Sequence, residues 1–310
     1  MTTAASPNAS DVRGPPRSVT SALRSFWRRG SFVERAGYGV GALLLVSGLV
    51  HLAILIASGG SWEGPLSWRK PATFGLSFGL TLITIIWVAS FLRLGDRARV
   101  ILLGSFTGAC VVETALVTLQ TWRGVPSHFN VETALDGLIA RTLAVGGFTL
   151  VAVIVVLAVV AFRANPQLPA SLRSAVRIGF VALLGAVAAG ALMIAKGMVL
   201  VVSGDAQAAY ATGGTLKPTH AVTMHAILVL PALAWLLSFA NWSEGRRLAV
   251  VRVASASYLL LAGVVVAANF AGVGPWPMPA PLVALAAAGA LALTIAAVMA
   301  MASRTSRIVK

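Results

Sequence analysis

Eight largely apolar runs, each of about 20 residues or more, are separated along the chain by short polar segments, and each is long enough to cross a hydrocarbon core of roughly 30 Å as a helix. They fall near residues 36–58, 71–92, 99–121, 138–162, 177–202, 219–240, 249–272 and 279–303. The pattern predicts an all-α, polytopic transmembrane helical bundle over 36–303. Residues 1–35 are rich in Ser, Pro, Thr and Arg and read as a disordered basic tail, and 304–310 read as a second, short basic tail. The first run starts too late for a cleaved signal peptide and has full spanning length, so it is expected to stay as an anchor.

Composition agrees with that reading. The 310 residues are 58% hydrophobic and 11% charged, well below the roughly 25% charged residues of a soluble domain, and the mean hydropathy is +0.87. A net charge of +15 would point to nucleic acid in a soluble protein. Here the bilayer is the expected partner, no nucleic acid is implied, and the charge reports topology. Eighteen of the 24 basic residues fall in the two tails and in every second loop, and five, Arg69, Lys70, Arg123, Arg141 and Lys217, fall in the others. The bias predicts that both termini are cytoplasmic. The single cysteine, Cys110, lies inside the third run, so no intrachain disulfide is possible.

Against this apolar background the stretch QTWRGVPSHFNVETALDGLIAR, Gln120 to Arg141, is the densest in polar and ionisable groups. A helix over 127–136 would put His128, Glu132 and Asp136 at i, i+4 and i+8 on one face. Two carboxylates one turn apart repel, so the face needs water, a cation or a guanidinium, and Arg123 and Arg141 bracket it.

Further candidates lie inside the runs. His51 shares a face with Ser47 and Ser58, and Trp62 and Trp68 read as an interfacial belt. Lys70 precedes Pro71 and heads a hydroxyl stripe of Thr73, Ser77, Thr81 and Thr84. Glu113 lies in the third run with Gln120 on the same face; a charge at such depth costs about 2.5–3.5 kcal/mol on insertion scales. Lys196 lies at similar depth in the fifth run and either pairs with Glu113 or snorkels outward. His220 and His225, five residues apart, sit about 140° apart around a helix, which excludes a zincin-like pair. Pro231 predicts a kink below them. The last two runs, with isolated Tyr258 and Asn269, read as edge helices.

With this topology all four histidines and Glu63, Glu113, Glu132, Asp136, Asp205, Lys196 and Lys217 fall toward the outer side. That sidedness predicts an extracytoplasmic chamber lined by polar residues including Lys70, Gln120, Arg123, Asn130 and Arg141. The leading expectation is a metal ion or haem held by His51, His128, Glu132, Asp136, His220 and His225, which offer nitrogen and oxygen ligands without a diagnostic spacing. The alternatives are a proton-coupled transporter relaying through Glu113, Lys196 and the histidines, a metal-dependent membrane hydrolase or transferase acting on a lipid or small-molecule ligand, and a structural or assembly subunit without catalysis.

The motifs QTWRGVPSHFN and HAVTMHAILVLPALAWLL resemble those of uncharacterised multi-pass membrane proteins of bacteria, particularly high-GC ones, across the middle two-thirds of the chain. The resemblance implies the topology and the bacterial cytoplasmic (plasma) membrane. It implies no activity.

Overall fold

A computed structural model describes residues 19–62, 64, 66–211 and 216–272, and every regular element among them is a helix. In chain order these are α1 (Val19–Arg29), α2 (Phe32–Ala57), α3 (Arg69–Ala89), α4 (Asp96–Trp122), α5 (Ala134–Phe162), α6 (Ala170–Val202), α7 (Ala206–Ala211), α8 (Lys217–Leu237) and α9 (Glu244–Phe270). Seven of them, all but α1 and α7, are long and apolar enough to cross a membrane. They coincide with the first seven expected runs. The eighth run, the C-terminal tail and Glu63 lie outside the described residues.

Helix starts follow from local chemistry. At α2 the backbone N–H and hydroxyl of Ser31 both donate to Glu34, at 2.7 and 2.8 Å, a capping arrangement that satisfies otherwise orphaned donors. The other Glu34 oxygen accepts from Arg99 at 2.7 Å, tying the start of α2 to the start of α4. These starts, together with the ends of α3, α5 and α8, gather at one arginine-rich end of the bundle, held by Asn165 Nδ2 donating to Phe91 O (3.1 Å) and Ser171 N donating to Glu244 (2.7 Å).

The expectation of a disordered tail is corrected over 19–29. Val19, Ala22, Leu23, Phe26 and Trp27 recur at i, i+3, i+4, i+7 and i+8, the stripe of an amphipathic helix. Phe26 inserts among Trp87, Phe91 and Trp235 at ring separations of 5.9–6.4 Å, while Leu23 and Trp27 stay exposed beside Arg24 and Arg28. An apolar-and-basic surface of this kind suits a membrane interface.

Glycine sets the closest packing. On α2 and α3, a Cβ at Gly75 would lie 2.5 Å from Gly48 N, and one at Gly79 would lie 2.7 Å from Gly41 O. The two backbones therefore touch, as small residues at four-residue spacing permit between spanning helices. On the other flank α6 packs on α8, where Gly179 meets Ile227 Cα, and α8 continues through Pro231. Tyr258 and Asn269 of α9 are ties rather than isolated groups: Tyr258 donates to Val222 O at 2.7 Å, and Asn269 Oδ1 accepts from Thr219 N and Oγ1 at 3.0 and 2.7 Å.

Candidate functional site

The polar stretch lies at the end opposite the arginines, where α4 stops at Trp122 and α5 starts at Ala134. Between them 123–133 is a loop, which corrects the expected helix over 127–136. Gly124 takes positive φ just after α4 (69°), Pro126 follows, and Thr133 caps α5 by accepting from Asp136 N. His128, Glu132 and Asp136 therefore share no face.

Asp136 is instead the centre of a closed network. Its Oδ1 accepts from Arg123 Nη1 at 2.6 Å and Gln120 Nε2 at 2.9 Å, and its Oδ2 accepts from Thr133 Oγ1 at 2.6 Å. Arg123 also bonds Gln120 Oε1. Gln120, Asn130, Ser127 and Asp136 are all buried. The expected chamber is thus packed shut at these residues: Gln120, Arg123, Thr133 and Asp136 satisfy one another, Asn130 Oδ1 accepts from Glu132 N at 3.1 Å, and Asn130 Nδ2 stays buried without a partner among the described residues. Arg141 is not part of it: five residues past Asp136, it lies about 140° around α5 and is exposed.

The loop's other side chains face outward from this network. His128 lies against Phe74, ring centroids 5.7 Å apart, and burial, with Lys70 nearby, lowers its pKa to about 4. Phe129 takes φ +64°, a conformation uncommon for a side chain of that size. Its ring occupies the space a Cβ at Gly197 of α6 would need, 2.4 Å from Phe129 Cζ. The fit of ring into glycine holds the strained residue. Glu132 faces buried Tyr210 of α7, whose hydroxyl pKa is raised by burial and by that carboxylate.

The histidines do not converge. His51 Nδ1 donates to Ser47 O at 2.8 Å and its Nε2 accepts from Trp122 Nε1 at 3.1 Å, so both ring nitrogens are engaged. Trp68 stacks on the same ring at 6.1 Å. His220 bonds Ala186 O across on α6, whereas His225 bonds Ala221 O on its own helix. Among the described residues no three His, Cys, Asp or Glu side chains gather to hold a metal ion. The expected ligand set of His51, His128, Glu132, Asp136, His220 and His225 is thus not gathered into one metal centre: both nitrogens of His51 are engaged, and Asp136 is taken by Arg123.

Glu113 and Lys196 also part company. Lys196 is exposed on α6. Glu113 is 3% exposed and points at α5, where the absence of a side chain at Gly146 makes room for it: a Cβ there would lie 2.5 Å from Glu113 Oε1. Among the described residues that oxygen is buried with no hydrogen-bond partner, although the Gly147 backbone N–H lies close enough to the carboxyl to act on it. Gln120 lies seven residues further along α4, roughly 10 Å, and between the two levels Val117, Ile139 and Leu143 form a small apolar cluster. Sequence reasoning did not reach Trp122, Thr133, Phe129 or Gly146 as parts of the site. Thr133 carried a legible signal, because Thr-x-x-Asp announces a helix start.

Comparison with known proteins returns no match: no family model, no curated protein and no solved structure is similar to this chain.

Proposed function

We propose that this multi-pass membrane protein is a transporter coupled to a proton or small cation, which it exchanges at Glu113. One observation carries the reading: Glu113 Oε1 is a carboxyl oxygen buried within a spanning helix without a hydrogen-bond partner among the described residues. An ionised side chain at such depth costs about 2.5–3.5 kcal/mol on insertion scales, where an apolar residue is favourable, and such groups mark ion and proton pathways by default. Gly146 supports the reading, since it leaves the carboxyl space to take up a ligand beside the α5 backbone. Exchange requires the end carrying Gln120, Arg123 and Asp136, closed in this conformation, to open past the thin apolar layer of Val117, Ile139 and Leu143. The histidines take no part in the relay, because each bonds a different carbonyl or stacks in a separate place.

The test uses the full chain in liposomes and a membrane-permeant carbodiimide, which modifies protonated carboxyls in apolar surroundings, with the adduct located by peptide mass spectrometry. Labelling of Glu113 that falls as pH or sodium concentration rises, and vanishes in Glu113→Gln, is expected. Absence of adduct on Glu113 under conditions that label the exposed Glu132 would overturn the reading.

A further inference from the structure

The arginine-rich end carries a recess of 170 Å³ between the turn after α3, the end of α5 and the start of α6. Arg93, Arg163 and Arg173 line it, with Phe91 and Asn165. The end of α5 would by itself repel an anion, since its last carbonyls are free and carry the negative end of the helix dipole. Here they are occupied. Arg177 donates from Nε to Ala161 O (3.1 Å) and from Nη2 to Phe162 O and Arg163 O (3.1 and 3.2 Å). Arg173 Nη1 donates to Asn165 O and Leu168 O at 3.0 and 3.1 Å, so its guanidinium is fixed at the rim.

Arg93 and Arg163 are exposed, and among the described residues neither forms an ion pair. At the same end Glu34 is engaged by Arg99, and Glu244 by Ser171 N and Arg247, while Asp96, the remaining described carboxylate at this end, lies exposed in the first turn of α4 and does not line the recess. Asn165 Oδ1, the unpartnered acceptor nearby, is closed off from solvent and does not oppose an anion. The position adds a second constraint. The 29 residues of α5 are about 44 Å long, against a hydrocarbon core of roughly 30 Å, so its last turn reaches the headgroup zone. Val155, Val159 and Phe162, at i, i+4 and i+7, form an exposed apolar stripe along α5 that ends, with Arg177 over the Phe162 ring, next to Ala161 and Arg163 of the recess lining.

We propose that this recess holds the phosphate of an anionic glycerophospholipid, with the acyl chains laid along the Val155–Phe162 stripe. Arg93 and Arg163 supply the charge-assisted hydrogen bonds, and Arg173 fixes the shape. The proposal is independent of Glu113, at the other level of the bundle.

The experiment is native mass spectrometry of the full chain in mixed micelles containing phosphatidylglycerol or phosphatidylcholine. Retention of phosphatidylglycerol over phosphatidylcholine is expected, and Arg93→Gln/Arg163→Gln should weaken it roughly tenfold or more. Arg97→Gln/Arg246→Gln, two exposed arginines at the same end, should leave it unchanged. Arg93→Lys/Arg163→Lys retains the charge and should keep most of the binding, which guards against loss through misfolding. Equal loss in the Arg97/Arg246 variant would reduce the effect to diffuse charge and overturn the site. Displacement of the lipid by excess inorganic phosphate would overturn the lipid as its occupant in favour of a soluble phosphate.

Discussion

Arg123, the C-cap of α4, and Asp136, in the first turn of α5, form a 2.6 Å ion pair that draws the two helix ends together across an eleven-residue loop. The pair explains why the chain tolerates a buried carboxylate here: Gln120 and Thr133 add to it, so both carboxylate oxygens are hydrogen-bonded. Removing one partner leaves the other uncompensated, whereas removing both does not. Arg123→Ala should therefore lower the thermal midpoint more than the double variant Arg123→Ala/Asp136→Asn. A double-mutant cycle on the protein in detergent reads the coupling directly, and additive effects would show the pair to be unimportant.

The contact between α2 and α3 makes a sharper prediction. Gly75→Ala drives a methyl into the Gly48 backbone at 2.5 Å, and backbone cannot yield as a side chain does. Overpacking of this kind costs about 1–3 kcal/mol. Gly39→Ala, where nothing lies within 4 Å of the new Cβ, should be neutral or slightly stabilising. Unfolding of the two variants in graded denaturing detergent would separate them, and equal stability would contradict the close approach of the two backbones.

His128 gives a pH dependence. Its pKa falls from 6.5 to about 4 because burial, and then Lys70, disfavour the imidazolium. The unfolded chain therefore binds the proton more readily. The stabilising contribution is complete above about pH 6.5 and is lost as pH falls toward 4, amounting to at most about 3 kcal/mol. The difference in thermal midpoint between wild type and His128→Phe, followed from pH 7 to pH 4.5, should shrink or reverse. A difference independent of pH would show the ring to be solvated.

The pairing of His51 with Trp122 across α2 and α4 is a single neutral hydrogen bond, 3.1 Å long. Trp122→Phe removes the donor and trims the indole to a single ring against Trp68; because Trp122 is largely exposed, the cost should stay near about 1 kcal/mol. A larger loss, with a change in the fluorescence of Trp68, would mean that the bond positions the whole aromatic group rather than one ring.

Legibility in the sequence followed the range of the physics. Spans were legible because roughly 20 apolar residues cross a bilayer whatever their neighbours do, and α2–α6, α8 and α9 fall where the runs predict. The side-chain partners were not. Spacing of four places His128, Glu132 and Asp136 on one face only if the backbone is helical, and Pro126 with the Thr133 cap makes it a loop. Equal depth brought Glu113 and Lys196 together on paper, but depth does not fix azimuth, and α4 turns Glu113 toward Gly146. α1 was hidden for the opposite reason, because its five apolar positions are correctly spaced within a segment whose overall composition reads as tail.

Gly146 offers the most specific handle on Glu113. Any side chain there competes for the volume of the carboxyl, since even a methyl would lie 2.5 Å from Oε1 and 3.3 Å from the carboxyl carbon. Glutamate has rotamers to move to, so Gly146→Ala should displace the carboxyl rather than unfold the bundle. If Glu113 exchanges a proton or cation in place, displacement should lower its rate of carbodiimide labelling and any coupled flux severalfold while the thermal midpoint shifts little. Gly147→Ala, whose Cβ would stand at an ordinary 3.9 Å from the same oxygen, should leave both unchanged. Equal effects of the two substitutions would show general disturbance of α5, and no effect of Gly146→Ala on labelling would show that the carboxyl does not depend on the space that this glycine leaves.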